Sequence, residues 1–361
     1  MLQNAPVPGR GAAGNPKNRF EKLEIVLDAE PTPDMSDTSC PTDAARSPQT
    51  QFLRDDTQSI LTKNSSPDIP FRFSLNPYRG CEHGCAYCFA RPTHEYLGFS
   101  AGLDFETKIV VKQSAPDLLR RELSSPRWQP EPLTMSGVTD CYQPVERRLE
   151  ITRRCLAVLA EFRQPVAVIT KNHLVTRDID LLCELAKFRA VMVAISVTTL
   201  DAELAKKLEP RASPPARRLA AIEELSSAGI PVHVMAAPCI PGLNDHELPA
   251  IFSAAAKAGA TGGSYVPLRL PWAVASIFEQ WLEIHAPQKK EKVLGRIREM
   301  RGGKLNDPRF GSRMRGEGFY AEQMHALYEL AKRKAGFTRE HRGAELSCEN
   351  FRVPTAQLSL W

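Results

Sequence analysis

Between residues 71 and 301 the chain repeats one pattern six times: a short apolar or β-branched run, followed by a loop or an amphipathic helical run. The apolar runs read FRFSLN, LTMSGV, VAVIT, AVMVAISV, PVHVMAAP and GGSYVPL, and helical runs follow the last five over residues 146–162, 179–188, 216–228, 248–258 and 277–301. Parallel neighbouring strands need a long crossover, which a helix usually supplies. We therefore expect an α/β fold with a parallel sheet, either open and doubly wound or rolled into a complete or partial barrel.

The regions outside the repeat have a different texture. Residues 1–66 are rich in Pro, Ser, Thr, Asp and Asn and are predicted to form a mostly irregular arm. The run KIVVK at residues 108–112, with a helical run over residues 117–124, is expected to be an insertion or an early extra strand. The repeat defines a core domain over residues 67–275, and residues 276–340 and 341–361 are assigned to a C-terminal helical extension and a tail.

Composition excludes several classes of protein. With 42% apolar and 25% charged residues, the chain is neither wholly disordered nor fibrous. No apolar stretch reaches the roughly 18–20 residues of a membrane helix, and residues 1–16 lack the apolar core of a secretory signal. We therefore predict a cytoplasmic protein with no membrane partner. The 47 Lys and Arg against 42 Asp and Glu give a net charge of +5, which permits a nucleic-acid partner without requiring one.

Three cysteines stand close together in NPYRGCEHGCAYCFAR, directly after the first apolar run: Cys81, Cys85 and Cys88. Their thiolates are soft ligands that favour an iron-sulfur cluster or zinc. A structural zinc site needs a fourth ligand, and only His83 and His94 are near in sequence, with His83 expected to be a solvated spacer. The loop therefore favours a 4Fe-4S cluster with one open iron. Cys155, Cys183 and Cys239 lie in or beside apolar runs and are predicted to be core residues.

This CxxxCxxC motif, with Tyr87 before its last cysteine and six strand-helix units around it, resembles that of the radical S-adenosylmethionine (SAM) enzymes. The resemblance covers about residues 70–275. It implies a partial (β/α)6 TIM-type barrel that holds a 4Fe-4S cluster on Cys81, Cys85 and Cys88, with SAM as a second cofactor and Tyr87 packed beside the cluster. It also implies that an external reductant of the flavodoxin or ferredoxin type drives cleavage of SAM to methionine and a 5′-deoxyadenosyl radical, which abstracts a hydrogen atom from the substrate.

The loop SGVTDCYQPVE after the second apolar run occupies the place where the family binds the methionine amino group. It departs from the family pattern, because the usual double glycine and glutamate are absent. Ser136, Gly137, Thr139 and Asp140 occupy this place, and Asp140 and the hydroxyls of Ser136 and Thr139 are therefore expected to accept the hydrogen bonds of the ammonium group. Cys141, at the same strand end, is a candidate hydrogen-atom donor to a substrate radical, with a core cysteine as the alternative.

The resemblance also makes candidates of residues at the later strand ends. Lys171 in ITKN is expected to pair with the methionine carboxylate. Ser196 and Thr198 in ISVTT are candidates for the carboxylate or the ribose, and Arg211 in LEPRASPPARR is an alternative fork for the carboxylate. Ile240 in MAAPCIPGLND is expected to pack against the adenine.

The segments RFSLNPYRGCEHGCAYCFAR, TKN and ARRLAAIEELSSAG resemble the branch near spore photoproduct lyase, which repairs a thymine dimer in DNA. The arm and PRFGSRMRGEGFY resemble an uncharacterised bacterial group within that branch, so the substrate does not carry over. Residues 289–315 are rich in Lys and Arg, and they are predicted either to track DNA phosphates or to form a solvated face and a basic connector.

The chain ends in QLSLW, which resembles the short peptide that binds the bacterial sliding clamp. Leu358, Leu360 and Trp361 would fill an apolar groove while Gln357 hydrogen-bonds at its rim; the alternative is a tail that docks on its own core. Three functions therefore stay open at this point. They are a radical SAM enzyme acting on a nucleic-acid lesion or base, a radical SAM enzyme acting on a protein, tRNA or small molecule, and a non-catalytic metal-binding module recruited to the clamp.

Overall fold

The structure is a computed structural model that describes residues 6–21, 48–337 and 345–354 of the chain. Its strands are β1 (Gln51–Arg54), β2 (Leu61–Lys63), β3 (Phe73–Leu75), β4 (Tyr78–Arg79), β5 (Lys108–Val111), β6 (Leu133–Met135), β7 (Val166–Thr170), β8 (Val191–Ser196), β9 (Val232–Cys239) and β10 (Gly262–Pro267). Its α-helices are α1 (Leu103–Thr107), α2 (Ala115–Leu123), α3 (Glu146–Leu149), α4 (Ile151–Phe162), α5 (Ile179–Ala186), α6 (Ala202–Leu208), α7 (Pro215–Ser227), α8 (Leu248–Lys257), α9 (Ala273–His285), α10 (Lys290–Met300) and α11 (Phe319–Lys334). Short 3₁₀ helices cover Arg91–Leu97, His173–Asp178, Asp245–Glu247 and Pro287–Lys289.

The main sheet has seven strands in the order β10-β9-β8-β7-β6-β3-β2. The six strands from β10 to β3 are all parallel, and β2 pairs antiparallel with β3 at one edge. Because β10 and β2 occupy opposite edges and do not pair, the sheet curves without closing. The predicted partial (β/α)6 TIM-type barrel is therefore confirmed.

One face of the sheet is buried under helices. Side chains alternate between the two faces of a strand, so Val166 and Val168 of β7 share the outer face with Val193 of β8 and Val234 of β9. The apolar stripes of α4, α5, α7 and α8 cover this face with fully buried side chains, among them Leu156, Leu182, Ile222 and Phe252. The β-branched runs of the sequence form strands because they pack well on such a covered sheet.

The other face of the sheet is concave, and its side chains are apolar or neutral polar, with no charged group among them. The strand registers place on it Ser74, Thr134, Ile169, Met192, Ala194, His233, Met235 and Ser264. Several of these are half-buried rather than enclosed, including His233 and Ser264. We call this surface the inner face.

A second, three-stranded sheet has the order β1-β5-β4. The KIVVK run forms β5, outside the main sheet and parallel to β1, as expected of an extra strand. Two short strands, β1 and β2, lie inside the segment that the sequence assigns to a mostly irregular arm. They form because the folded core supplies partners: β5 pairs with β1, and the carboxylate of Glu122 accepts hydrogen bonds from the amides of Ile60 and Leu61 at 2.7 and 3.1 Å.

The C-terminal helices pack against the barrel, with α11 against α8 and β10. Between α10 and α11, residues 302–318 form a strap that joins the two edges of the open sheet. On the β10 side, buried Arg301 donates to the carbonyls of Leu268 and Arg313, each at 2.8 Å. On the β3 side, Arg313 Nε lies 2.6 Å from Asp68 Oδ2, and Gly311 N donates to Asp68 Oδ1 at 2.6 Å.

The DNA contact predicted for residues 289–315 and the clamp contact predicted for the C-terminal peptide both stay predictions. Many cations of the 289–315 segment are engaged within the protein, including Lys290 with Glu283 and Arg309 with Asp307. The peptide at residues 357–361 lies outside the described residues. Across the described parts of the chain, no helix combines the length and the apolar character needed to cross a bilayer.

Candidate active site

The cysteine loop follows β4 and turns back on itself at two glycines with positive φ, Gly80 at +79° and Gly84 at +65°. A side chain at Gly84 would meet Glu106 Oε2 at 2.7 Å, so this position requires glycine both for its backbone conformation and for the close approach. The loop presents Cys81 and Cys85 as buried thiols and Cys88 as a half-buried one.

A buried ion pair fixes the loop from behind. Arg91, fully enclosed, donates to the carbonyl of Cys85 at 3.0 and 2.8 Å and pairs with Glu106. The carboxylate of Glu106 also accepts hydrogen bonds from the amides of Gly11 and Ala12 at 3.1 and 2.9 Å. Residues near the N-terminus therefore help to hold the cysteine loop, although the sequence assigns them to an irregular arm.

The three thiols fit an iron-sulfur cluster. Burial raises the pKa of all three, and their mutual proximity raises those of Cys81 and Cys85 further, so their thiolates need a bound positive charge. Within residues 6–21, 48–337 and 345–354, no three His, Cys, Asp or Glu side chains converge closely enough to hold one metal ion. A cubane cluster binds each thiolate through a different iron, so three thiols on one loop can hold it and leave one iron open.

Neither nearby histidine is placed as a further ligand. His83 is buried, with Nδ1 3.4 Å from Asp140 Oδ2 and Nε2 3.3 Å from Asn172 Nδ2, so the expectation of a solvated spacer is wrong. His94 donates from Nε2 to the carbonyl of Lys108 at 2.9 Å, and burial lowers its pKa to about 4.

A buried carboxylate, Glu209, gathers several of the predicted cofactor residues. It accepts hydrogen bonds from the hydroxyls of Tyr87 and Thr198, the latter at 2.6 Å, and Lys171 Nζ lies 3.4 Å from it. Lys171 Nζ also donates to the carbonyl of Ala237 at 3.1 Å and lies 5.7 Å from the centre of the Tyr87 ring. Lys171, Tyr87 and Thr198 are thus brought together beside the cysteine loop.

Glu209 is held in turn by Arg218, which is also buried. Arg218 pairs with Glu209 and donates to the carbonyls of Ser196 at 3.0 Å and Ser213 at 2.6 Å. Burial opposes the charge of Glu209, but Arg218 and Lys171 outweigh it and lower the pKa of the carboxyl. Sequence reasoning missed both Glu209 and Arg218, because nothing in LEPRASPPARR shows that the two side chains meet inside the protein.

Asp140 joins the loop after β6 to the end of β7. Its carboxylate accepts from Thr170 Oγ1 at 2.8 Å, from the Lys171 amide at 2.8 Å and from the Tyr142 amide at 2.9 Å. Although burial alone would raise it, the pKa of Asp140 is lowered, chiefly by His83. Asp140 therefore fixes the backbone that presents Lys171 beside the cysteine loop.

The other candidates in the loop after β6 serve the loop itself. Ser136 has a φ of +72°, and its hydroxyl accepts from the Cys141 amide at 2.7 Å. Thr139 is buried and donates to the carbonyl of Tyr78 at 2.7 Å. Gly137 lies against Ser74, where an added Cβ would come within 3.3 Å of the Ser74 Cβ. The structure thus engages the hydroxyls that were expected to accept the methionine ammonium.

Cys141 is completely enclosed in the core, and burial raises the pKa of its thiol. It belongs to the same apolar cluster as Leu156 and Val168, which lies under the helices and not on the inner face. The alternative of a core cysteine, rather than a donor to a substrate radical, agrees with this position. Cys155 and Cys239 are buried as predicted, and Cys183 is half-buried.

Arg211 and Ile240 differ in how they relate to this centre. Arg211 lies at the cysteine loop, where its amide donates to the carbonyl of His83 at 3.3 Å and its guanidinium pairs with Glu82 at 3.0 Å. Its role as a carboxylate fork stays a prediction. Ile240 is fully buried in one apolar cluster with Cys85 and Tyr87, and its packing against the adenine stays a prediction as well.

The inner face adds a residue that the sequence did not single out. His233 Nε2 shares a hydrogen bond of 3.1 Å with Ser264 Oγ of the next strand, and burial lowers the pKa of His233 to about 4. The imidazole is therefore neutral at neutral pH and both donates and accepts hydrogen bonds. The sequence PVHVMAAP could have indicated this position, because His233 alternates with Val232 and Val234 along the strand and therefore lies on the face opposite the core.

Comparisons with known proteins agree with this geometry. A family model described as the Radical SAM superfamily matches residues 75–255. An uncharacterized protein of Mycobacterium tuberculosis is 38% identical over 289 residues, which cover 79% of this chain and 81% of that protein. An uncharacterized protein of Methanocaldococcus jannaschii is 30% identical over 176 residues, 49% of this chain and 63% of that protein.

Among solved structures, spore photoproduct lyase complexed with dinucleoside spore photoproduct has a TM-score of 0.57 and 13% identity, covering 78% of this chain and 79% of that chain. A variant of spore photoproduct lyase has a TM-score of 0.58 and 14% identity, covering 79% of each chain. At these identities the likeness is one of fold.

Proposed function

This chain belongs to the radical SAM superfamily, and from that premise we propose that it is a radical SAM enzyme whose substrate is a base or base lesion of DNA held against the inner face. The cofactors of the family are a 4Fe-4S cluster and SAM, which together supply a carbon-centred radical that abstracts a hydrogen atom.

The residues of the site divide the work of holding these cofactors. Cys81, Cys85 and Cys88 would hold the cluster on a loop that the Arg91 guanidinium keeps rigid. Lys171, held by Glu209, lies beside the loop and would pair with the methionine carboxylate. The apolar surface of Ile240 would pack against the adenine.

The observation that carries the proposed substrate is the chemistry of the inner face. Its positions on β3 and on β6 to β10 hold no Asp, Glu, Lys or Arg. Instead they present the neutral imidazole of His233, the hydroxyl of Ser264 and the thioether of Met192. Neutral groups that donate and accept hydrogen bonds, set among apolar ones, match the edges and faces of a nucleobase.

The shared fold supports the same substrate class. A structure with a similar fold over about four-fifths of its length is described as spore photoproduct lyase complexed with dinucleoside spore photoproduct. That ligand consists of two nucleosides, which have the uncharged flat rings that the inner face suits. The alternatives of a protein, tRNA or small-molecule substrate become outcomes of the test.

The test is anaerobic reconstitution of iron and sulfide, followed by dithionite, SAM and DNA oligonucleotides that are either ultraviolet-irradiated or undamaged. We expect 5′-deoxyadenosine to form, and to form faster with one DNA substrate, which is converted to a product that chromatography separates from it. The matched controls are Cys85→Ala, which should lose iron and activity, and Cys348→Ala, at a half-buried cysteine outside the loop. One zinc per chain without labile sulfide, or competent clusters that never form 5′-deoxyadenosine, would contradict the enzyme. Formation unaffected by any DNA would contradict the substrate.

A further inference from the structure

Three exposed aromatic side chains lie on one part of the surface, each beneath an arginine guanidinium. The pairs are Phe89 under Arg269 at 5.3 Å, Trp272 under Arg19 at 4.1 Å and Phe310 under Arg313 at 4.7 Å, measured to the ring centres. Phe89, Trp272 and Phe310 are 48%, 61% and 62% exposed. We call these six residues the aromatic-arginine strip.

The strip is continuous and adjoins the cysteine loop. Phe89 directly follows Cys88, and Arg269 and Trp272 lie in the segment that follows β10. Arg269 also contacts the strap, where it donates to Met314 Sδ at 3.4 Å. Met314 directly follows Arg313, the arginine that lies over Phe310. Beyond Trp272, the Arg19 guanidinium also covers Phe20, whose ring centre is 4.7 Å from that of Tyr96.

The strip carries excess positive charge. Arg269 forms no ion pair with any residue in the described ranges, whereas Arg313 pairs with Asp68 at 2.6 Å and Arg19 with Glu95 at 2.7 Å. Burial, and less strongly the nearby Arg313, lower the pKa of Arg269, while Asp68 raises it. A bound anion would give Arg269 the ion pair that it lacks among the described residues.

A solvated surface does not account for this arrangement. An exposed cation-π pair contributes about 0.5–1 kcal/mol, which is less than burying a large aromatic side chain would contribute. Clustered exposed apolar groups of this kind mark interaction sites. Flat rings that alternate with guanidinium groups, of which Arg269 has no carboxylate partner in the described ranges, fit a ligand that itself alternates flat rings with anions.

We propose that the aromatic-arginine strip binds single-stranded DNA, with bases stacked on Phe89, Trp272 and Phe310 and phosphates at Arg269 and Arg313. Single strands expose the base faces that a duplex hides, and stacking on aromatic side chains with cationic contacts is how proteins hold such strands. This inference rests on the proposed function and refines it. The strip beside the cysteine loop would receive the strand whose target base enters the inner face, because a base inside a duplex is out of reach of such a site.

The test is fluorescence anisotropy of labelled oligonucleotides with the cluster-loaded protein in the absence of SAM. We expect single-stranded DNA to bind more tightly than the duplex or RNA of the same sequence. Phe310→Ala and Trp272→Ala should each weaken binding at least about fivefold. Arg269→Gln should remove one phosphate contact, so the slope of log K against the logarithm of the salt concentration should become shallower by about 0.7. Phe310→Tyr, which keeps a stacking ring, should bind as the wild type does.

The matched control is Phe52→Ala, because Phe52 is also exposed beneath an arginine, Arg148 at 5.0 Å, but belongs to the small sheet. Its affinity should not change. Unchanged affinity in the Phe310 and Trp272 variants, equal losses in Phe52→Ala, or preference for the duplex or RNA would overturn the inference. Formation of 5′-deoxyadenosine without DNA is measured in parallel. Strip variants that lose DNA affinity but still form 5′-deoxyadenosine would assign DNA binding to the strip and leave the cofactor site intact. A wild-type protein that binds single-stranded DNA but forms no 5′-deoxyadenosine would contradict the proposed enzyme activity and leave the strip inference standing.

Discussion

Lys171 Nζ lies 3.4 Å from Glu209 Oε1, so a lysine at the end of β7 and a carboxylate beyond α6 meet beside the cysteine loop. The contact leaves Lys171 partly exposed while Glu209 is fully enclosed. Glu209 also holds Arg218, Thr198 and Tyr87, so a single buried carboxylate fixes the position of the cation that faces the site.

Replacing Lys171 with methionine should weaken SAM binding at least about tenfold, because the methionine carboxylate would lose its charged partner in a partly desolvated site. Stability should change little, since Arg218 still neutralises Glu209. Equilibrium dialysis of SAM against the reconstituted protein measures the affinity, with Lys187→Met as the control, a surface lysine paired with Glu184. Equal SAM affinity in wild type and Lys171→Met would contradict the pairing of Lys171 with the methionine carboxylate.

Replacing Glu209 with glutamine should destabilise the protein by about 3–5 kcal/mol, since Arg218 would stay buried without its counter-charge. Because the folded state lowers the pKa of Glu209, its contribution is present at neutral pH and is lost as pH falls through and below the ordinary glutamate value. Urea unfolding should therefore show that the difference in unfolding free energy between wild type and variant becomes smaller as the pH falls. A gap that is small at neutral pH, or that widens in acid, would count against this role.

The sequence was informative where function follows from local pattern. The six apolar runs form the parallel sheet, and the cysteine spacing identifies the loop that the site is built on. It was uninformative where function depends on which side chains meet. Thr139 has the right residue type for a cofactor contact but donates to the carbonyl of Tyr78, and Arg211 pairs with Glu82. Glu209 lies in a segment with no motif, and only the fold shows that it faces Lys171.

Gly11 should be intolerant of substitution. A Cβ at this position would lie 1.7 Å from the carbonyl oxygen of Gly84 in the cysteine loop. Because that oxygen belongs to the backbone, relieving the clash would require the loop itself to shift. Gly11→Ala should therefore displace the segment that donates to Glu106 and cost about 1–3 kcal/mol. We expect faster loss of the cluster's visible absorbance in air. Gly295→Ala in α10, where an added Cβ meets nothing within 4 Å, should leave that rate unchanged.

His233 should make stability depend on pH in mild acid. Burial lowers its pKa to about 4 from an ordinary value of 6.5, so the unfolded chain binds a proton in this interval that the folded chain does not. Stability from this group is thus full above pH 6.5 and is lost as pH falls toward 4, by a total of about 3 kcal/mol. His233→Gln can still hydrogen-bond to Ser264 and does not titrate, so its unfolding free energy should fall less over the same interval. His94, whose pKa is also about 4, is present in both proteins and cancels in the comparison. Parallel pH profiles for wild type and variant would mean that His233 is solvated in the folded protein, and the inner face would then lack the neutral imidazole on which the proposed base recognition depends.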